Sequence, residues 1–157
     1  MPNVYLSIGS NIDRESNVRS AMRTLRRYWP RIIFSPVYES TAVGFAGEDF
    51  FNLAAAFSTG QELGEVLAIL RRIEEERGRT RGGPKFSARS LDLDLLCWGE
   101  AVIEDGTLAL PREELLLHDF VLLPLVDIAP EAVHPVSGLT YRRLWQQFNG
   151  VYSIRRV

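Results

Sequence analysis

The chain of 157 residues contains one cysteine and lacks any apolar run long enough to cross a bilayer. The single cysteine, Cys97, excludes an intrachain disulfide and is typical of a reducing compartment. No basic leader precedes the first apolar residues, so we expect no signal peptide and a cytoplasmic location. The length, with 46% hydrophobic and 24% charged residues, predicts one globular domain over residues 1–157.

An excess of positive charge and the common nucleotide-binding motifs are also lacking. The formal net charge of −2 argues against a general nucleic-acid binder, because such proteins are usually basic. The sequence has no Gly-x-x-x-x-Gly-Lys-Ser/Thr motif, so any ATP would be bound without a P-loop. Its two histidines, His118 and His134, are too far apart and too isolated to predict a zinc site.

The apolar pattern predicts the order strand, helix, strand, strand, helix, strand. Alternation predicts strands at residues 3–8, 31–38 and 50–57 and around Asp92 and Asp94, and helical spacing predicts helices at 14–29 and between Thr59 and Gly78. We expect Asp13 to cap the first helix, and Ser58 or Thr59 the second. Right-handed crossovers turn this order into an α+β, ferredoxin-like βαββαβ core, an antiparallel sheet with both helices on one face.

The chain beyond residue 97 is less regular, and we expect it and the loops to cover the other face of the sheet. Short strands are predicted at 101–103 and 107–110, followed by a helix at 120–128 despite Pro124. Thr140 is predicted to cap a last helix.

Two carboxylates stand on one face of the strand that holds Leu-Asp-Leu-Asp-Leu-Leu. Side chains two apart on a strand point the same way, so Asp92 and Asp94 lie together. The alternating leucines pack on the opposite face: Leu91, Leu93 and Leu95. Like charges side by side require a compensating cation. The cation is either magnesium bridging a polyphosphate or the guanidinium groups of Arg81 and Arg89, and the spacing leaves both open.

A basic segment that Gly82, Gly83 and Pro84 keep out of helix precedes this strand. Its cations, which include the only lysine of the chain, form either a solvated charge run or a phosphate-binding loop: Arg79, Arg81, Lys85 and Arg89.

Phe50 and Asn52 share one face of the third strand. They could offer an aromatic platform and a hydrogen-bonding amide to a flat heterocycle, or they could belong to the core. Glu74 belongs to a run of glutamates that is typical of a solvated helix end.

Taken together, these residues resemble the 6-hydroxymethyl-7,8-dihydropterin pyrophosphokinase family over nearly the whole chain. The Arg-x-x-Asp-x-Asp element at 89–94 is the most specific part of the resemblance. The other matching segments are 6–11, 38–44, 50–52, 73–74, 79–81, 110–111, 120–125, 128–130 and 134–135.

The resemblance implies ATP-dependent transfer of a diphosphate to 6-hydroxymethyl-7,8-dihydropterin, with release of AMP, in folate biosynthesis. It implies two Mg²⁺ ions on Asp92 and Asp94, and catalytic roles for Arg79, Arg89 and Asp94. ATP would also contact Glu74, Arg81, Lys85, Arg89, Arg112 and His118. The pterin would contact Thr41, Val43, Phe50, Asn52 and Phe120. We expect a monomer that binds these two small molecules, with no nucleic-acid or membrane partner.

The chain departs from the family pattern at several positions around ATP. Arg112 and Glu113 stand where a histidine and an aromatic residue are common, and His118 stands where an arginine is common. Within the basic segment, Phe86, Ser87 and Ala88 replace the usual Trp, Gly and Pro. These departures leave open a second interpretation, a catalytically weak paralogue that binds a pterin or a nucleotide. A ferredoxin-like regulatory or RNA-binding module would have no need for paired strand carboxylates.

Overall fold

The computed structural model describes residues 1–41, 49–78, 90–150 and 153–157. Its strands are β1 Asn3–Ser10, β2 Ile33–Phe34, β3 Tyr38–Ser40, β4 Phe50–Ser58, β5 Asp92–Trp98, β6 Ile103–Glu104, β7 Ala109–Leu110 and β8 Ile154–Arg156. Its helices are α1 Arg14–Tyr28, α2 Leu63–Glu76, α3 Glu114–Leu117, α4 Asp119–Ile128 and α5 Tyr141–Gln146.

The main sheet has the strand order β5-β1-β4-β3-β8, and β2 also pairs with β4. All of these pairings are antiparallel. The order β5-β1-β4-β3 arises because each helix connects strands that are not neighbours in the sheet. Helix α1 leads from β1 to the far side of β4, and helix α2 leads from β4 to the far side of β1. The predicted α+β, ferredoxin-like core is therefore confirmed.

Helices α1 and α2 cover one face of this sheet, as their apolar spacing predicts. Their buried side chains meet the inward-facing residues of the central strands, such as Leu6 and Ile8. The apolar residues of these two helices that are fully or almost fully withdrawn from solvent are Val18, Ala21, Leu25, Val66, Leu70 and Ile73. This layer is the larger of the two hydrophobic clusters that the structure describes.

The opposite face is covered by the chain that follows residue 97, which confirms that expectation. Helix α4 packs across β4 and β3, and α5 packs on α4. Their apolar residues join Ala54 and Leu96 of the sheet around the fully buried Tyr141. Among the described helices, none has both the length and the apolarity that crossing a bilayer requires.

The predicted single strand over residues 31–38 was wrong, because two short strands occupy this segment. Pro36 has no N–H group and cannot continue the ladder. Ser35 compensates at the break: its N–H donates to the Ala54 carbonyl at 2.9 Å, and its Oγ accepts from the Ala54 N–H at 2.8 Å. Both short strands pair with β4, so the sheet is maintained across the interruption.

The helix caps were predicted correctly in part. Thr140 caps α5, with its Oγ1 accepting from the Arg143 N–H at 3.1 Å. Asp13 occupies the capping position of α1 but makes no side-chain cap bond. Helix α2 starts later than Ser58 or Thr59 suggested, because Glu62 forms a capping box with the third helical residue.

Two elements were not predicted, the short helix α3 and the C-terminal strand β8. Strand β8 pairs with β3 through Tyr38↔Arg156 and Ser40↔Ile154. The predicted strands at 101–103 and 107–110 are shorter than expected and form a separate pair, β6 with β7. The chain thus returns to the edge of the main sheet after covering its second face.

Candidate active site

The carboxylates of Asp92 and Asp94 stand on the sheet face that α4 and α5 cover in part. In the register with β1, Asp92 lies opposite Gly9 and Asp94 lies opposite Ser7. The alternate side chains are buried in the helix-covered core: Leu91, Leu93 and Leu95. Asp94 keeps 42% of its side chain exposed, so it is not sealed from solvent, whereas Asp92 is half-buried with its Oδ1 withdrawn from solvent. The predicted separation of the two faces is confirmed.

Arg112 lies beside the carboxylate pair, in a segment that runs along the edge of β5. Its backbone N–H donates to the Leu96 carbonyl at 2.9 Å. Its Nε is 2.7 Å from Glu114 Oε2, and its Nη2 is 3.9 Å from Asp94 Oδ1. Burial opposes the charged form, but the carboxylates of Asp94 and Glu114 raise the pKa of Arg112 above its ordinary value. The site therefore contains a fixed cation next to the acidic pair.

The residues present suit magnesium in the presence of a nucleotide. Mg²⁺ prefers oxygen ligands and is commonly held by one or two carboxylates together with substrate phosphates. Asp92 and Asp94 provide such a pair on one strand face. Among the described residues, no group of three or more His, Cys, Asp or Glu is arranged to hold a metal ion. A metal at this pair would thus need further ligands from outside the described residues, such as ATP phosphates or water.

Gly9 separates the acidic pair from the amide of Asn52. It lies between Asp92 on β5 and Asn52 on β4, in register with both. Adjacent strands are about 4.8 Å apart, which puts Asp92 and Asn52 about 10 Å apart across the sheet. A Cβ at position 9 would be 3.2 Å from Asn52 Nδ2 and 3.8 Å from Phe50 Cδ1. Because residue 9 has no side chain, the Asn52 amide and the Phe50 ring can lie this close to the strand.

Asn52 is held in place by a neighbouring strand. The Ser40 hydroxyl donates to Asn52 Oδ1 at 2.5 Å, and both side chains are buried. Ser40 lies directly opposite Phe50 in the β3–β4 register. Because the carbonyl end of the amide is engaged, the Nδ2 end is the one that lies nearest Gly9. The predicted pairing of Phe50 and Asn52 on one face is confirmed, since both flank the opposite-facing Phe51.

The N-terminal turn of α4 places Phe120 on the same side of the sheet as Asn52. The rings of His118 and Phe120 stack with centroids 4.8 Å apart and planes at 17°. Tyr38 of β3 donates its hydroxyl proton to Asp127 Oδ2 at 2.5 Å, which fastens the far end of α4 to the sheet. Burial, followed by this hydrogen bond, raises the pKa of Tyr38 to about 12. The helix that contains Phe120 is thereby anchored above β3.

Glu74 is not a solvated residue of a charge run, so that interpretation was wrong. It is 2% exposed, and its Oε2 accepts from the Leu93 N–H at 2.9 Å. The reason is that β5 is the edge strand on this side, and its outward N–H groups need acceptors. Glu74 meets β5 at the residue between the two aspartates. Its contact with ATP stays a prediction.

Part of the predicted site lies outside the described residues. Arg79, Arg81, Lys85 and Arg89 of the basic segment are in this group, and so is Val43. Thr41 is the last described residue before the 42–48 gap and is exposed. The described part of the site therefore consists of the carboxylate pair, Arg112, His118 and the residues around Phe50 and Phe120.

Sequence reasoning missed three residues that shape this arrangement. Glu114 orients Arg112, Gly9 allows the close approach of Asn52, and Ser40 orients Asn52. Ser40 lies two residues beyond the predicted second strand, and its place opposite Phe50 comes from the observed β3–β4 register. The Arg112–Glu114 pair has no signal in the sequence, since an i,i+2 charge pair usually stays in solvent.

The comparisons with known proteins identify the family. A family model for 7,8-dihydro-6-hydroxymethylpterin-pyrophosphokinase (HPPK) matches residues 5–130. The 2-amino-4-hydroxy-6-hydroxymethyldihydropteridine pyrophosphokinase of Aquifex aeolicus is 33% identical over 150 residues, which cover 94% of this chain and 91% of that protein. The Bacillus subtilis protein of the same name is 33% identical over 155 residues, covering 94% of this chain and 92% of its own length.

Longer proteins contain a similar region. The mitochondrial folate synthesis bifunctional protein of Arabidopsis thaliana is 37% identical over 133 residues, but these cover only 24% of its length. Wild-type Plasmodium falciparum HPPK-DHPS superposes with a TM-score of 0.71 at 15% identity, covering 94% of this chain and 44% of that one. At this identity the superposition shows the fold alone.

The relatives identify the protein first as a diphosphotransferase, and its fold is a ferredoxin-like core. More particularly, the chain belongs to the 7,8-dihydro-6-hydroxymethylpterin-pyrophosphokinase family, whose model covers most of its length. The resemblance found from the sequence motifs is confirmed.

Proposed function

We propose that the protein transfers the diphosphate of ATP to 6-hydroxymethyl-7,8-dihydropterin, a step of folate synthesis. The observation that carries this proposal is the row formed by Asp92, Gly9 and Asn52 across the sheet, in a chain of the pyrophosphokinase family. The row puts an acidic pair suited to metal-bound phosphates about 10 Å, or two strand spacings, from an amide suited to a pterin edge. Gly9 between them has no side chain, and the Asn52 amide lies against it.

At the phosphate end, Asp92 and Asp94 hold two magnesium ions with the ATP phosphates. The chemistry that these ions supply is neutralisation of negative charge on the phosphate oxygens. Arg112 adds a cation held against Asp94 by Glu114. The further ATP contacts are Glu74, Arg81, Lys85, Arg89 and His118, with Arg79 and Arg89 supporting the transition state.

At the pterin end, Asn52 reads the edge of the ring while Phe50 and Phe120 stack on its faces. The support for this role is that Asn52 is buried, oriented by Ser40, and close to Gly9 beside Phe50. A buried, oriented amide discriminates strongly, because a ligand without matching groups leaves it unpaired. Thr41 and Val43 complete the proposed set.

The reaction is an in-line attack on the β-phosphorus. The pterin hydroxymethyl oxygen forms a new bond to that phosphorus as its bond to the α–β bridging oxygen breaks, and AMP leaves. Transfer of this kind depends mainly on alignment and charge neutralisation. The hydroxyl proton passes to Asp94 or to water, and the partly exposed Asp94 carboxylate is within the acidic end of the row.

Product analysis tests the proposal. Purified protein with ATP, magnesium and the dihydropterin alcohol should release AMP and the pterin diphosphate, whereas ADP would contradict attack at the β-position. Asp92→Asn and Asp94→Asn should each lower turnover at least about a hundredfold, by loss of charge stabilisation. The matched control is Glu131→Gln, an exposed carboxylate paired with Arg142, which should keep full activity.

The same experiment separates the alternative of a weak paralogue. The observation that favours it is the pair of departures Arg112 and His118, one engaged by Glu114 and the other stacked on Phe120. Calorimetry that shows pterin or ATP binding without AMP release would support the paralogue. Release of AMP at rates ordinary for a kinase, about 1–100 per second, would exclude it.

The remaining proposals concern the molecule as a whole. We propose that residues 1–157 form one pyrophosphokinase domain, because both hydrophobic clusters share a single sheet. We propose in addition that the protein is a monomer. We also propose a cytoplasmic location, supported by the free, buried Cys97.

A further inference from the structure

A cluster of charges lies on the helix-covered face of the sheet, directly behind the proposed pterin-binding end of β4. Glu39 of β3 is its centre. Its Oε2 is 2.7 Å from Arg14 Nη2, and its Oε1 contacts the guanidinium group of Arg155. Arg14 also donates to the Asp49 carbonyl at 2.9 Å, and Arg155 Nη2 is 3.4 Å from Asp49 Oδ2. These four residues are called here the Glu39 cluster.

The Glu39 cluster joins parts of the chain that are distant in sequence. Arg14 is the first residue of α1, Glu39 lies on β3, and Arg155 lies on β8. In the sheet, Glu39 is directly opposite Phe51 on one side and Arg155 on the other. The Arg14 guanidinium lies over the Phe51 ring, 4.0 Å from its centroid. Four segments are therefore held together at one end of β4.

This end of β4 is the one that presents the proposed pterin contacts. Asp49 immediately precedes Phe50, and Phe51 separates Phe50 from Asn52. Because side chains alternate along a strand, Phe51 faces the cluster while its two neighbours face the proposed pterin site. Any shift of the backbone at Phe51 must move both neighbours as well.

The cluster differs from an ordinary surface ion pair. The Glu39 side chain is only 16% exposed and that of Arg14 is 27% exposed. A carboxylate shared by two guanidinium groups in such surroundings is screened less by solvent than an exposed pair. By contrast, the Arg19–Glu15 pair on the same helix α1 has 72% and 71% exposure and joins no other element.

We infer that Glu39 is a positioning residue for pterin recognition: through Arg14 and Arg155 it sets where Phe50 and Asn52 stand. This inference rests on the proposed function, since it concerns the pterin site of that reaction. Glu39 itself touches neither substrate and acts from the opposite face of the sheet.

The test compares Glu39→Gln with the matched control Glu15→Gln. The Michaelis constant for the pterin should rise about tenfold in Glu39→Gln, because small misplacements of contact residues are costly, while that for ATP stays unchanged. The dissociation constant of the pterin, measured by its fluorescence without ATP, should rise by the same factor. Glu15→Gln should change neither constant.

A second variant, Arg155→Gln, keeps the inference testable if Glu39→Gln fails to fold. Arg155→Gln changes a residue that is 63% exposed on an edge strand, so the fold should persist. It should raise the pterin dissociation constant in the same direction by a smaller factor. A lower melting temperature in both variants with an unchanged pterin constant would mean a purely structural role and would overturn the inference.

Failure of the proposed function gives a different result. Wild-type protein that neither binds the pterin nor releases AMP would overturn the function itself. Wild-type protein that does both, beside variants that raise the ATP and pterin constants equally, would overturn only the positioning role of Glu39.

Discussion

Arg112 places a permanent positive charge next to the Asp94 carboxylate, held there by Glu114. At the scale of single residues, this one side chain makes the electrostatic potential beside the acidic pair more positive. By Coulomb's law, a positive charge here would favour nearby phosphates and oppose the binding of a divalent cation to the acidic pair.

We therefore expect Arg112→Ala to bind Mn²⁺ or Mg²⁺ more tightly in the absence of nucleotide. Removal of one positive charge at this distance should lower the metal dissociation constant about three- to tenfold. Titration calorimetry, or electron paramagnetic resonance with Mn²⁺, measures this directly. Arg142→Ala is the matched control, because that guanidinium pairs with Glu131 at the surface. Weaker metal binding in Arg112→Ala would show that Arg112 does not oppose the metal.

The thiol of Cys97 is expected to be inert. Burial raises its pKa to about 11, although the hydrogen bond with Tyr141 at 3.2 Å opposes that rise. The thiolate is the reactive form, so alkylation of the native protein at pH 8 should be roughly a hundredfold slower than in denaturant. Mass spectrometry after timed iodoacetamide treatment follows the modification. Equal rates in both conditions would contradict the burial of this group.

At the scale of the elements, α4 is joined to the C-terminal segment by a buried carboxylate. Asp119 is 2% exposed and accepts from the Ser153 N–H at 2.5 Å and from its hydroxyl at 3.2 Å. Its place in the first turn of α4 also favours a negative charge there. The residue thus connects the helix start, one position before Phe120, to the strand that follows Ser153.

Asp119→Ala should consequently lower the free energy of unfolding by about 1–3 kcal/mol, because it leaves a donor of Ser153 without its acceptor. Urea denaturation followed by circular dichroism gives this value. Glu131→Ala, which removes one partner of an exposed ion pair, should change it by less than about 0.5 kcal/mol. Equal effects of the two substitutions would mean that the Asp119 contact does not stabilise the fold.

The elements themselves were largely predictable from local pattern. The alternation of leucine and aspartate on β5 and the helical spacing of α1 and α2 need no distant partner to be recognised. The compensation of the break at Pro36, and the start of α2 at Leu63 after its cap Glu62, depended on hydrogen bonds with Ala54 and Glu65. Those bonds form only when the pieces come together.

At the scale of the whole molecule, stability should depend on the neutral state of His134. This residue is 3% exposed, and its Nδ1 accepts from the N–H groups of Val136 and Ser137 at 3.3 and 3.0 Å. Burial lowers its pKa below the ordinary value of 6.5. The unfolded chain therefore takes up a proton more readily than the folded one, and stability rises with pH in this range.

The expected outcome is a loss of stability as the pH falls below about 6.5 towards the lowered pKa of the folded state, with the contribution fully present above it. His134→Asn keeps an acceptor for the two N–H groups but does not titrate, so its free energy of unfolding should depend less on pH. Urea denaturation at pH 5.5 and 7.5 measures both slopes. Identical slopes would show that His134 does not contribute to the pH dependence.

The sequence alone determined the α+β class with its βαββαβ core, the faces of β4 and β5, and the family, because each depends on local periodicity or on a contiguous motif. Only the tertiary structure decided that the Asn52 amide lies against Gly9, that Glu74 accepts a hydrogen bond from the edge of β5, and that Glu39 holds arginines from α1 and β8. These contacts join residues far apart in the chain. Their geometry follows from strand register and packing, which no local pattern of residues specifies.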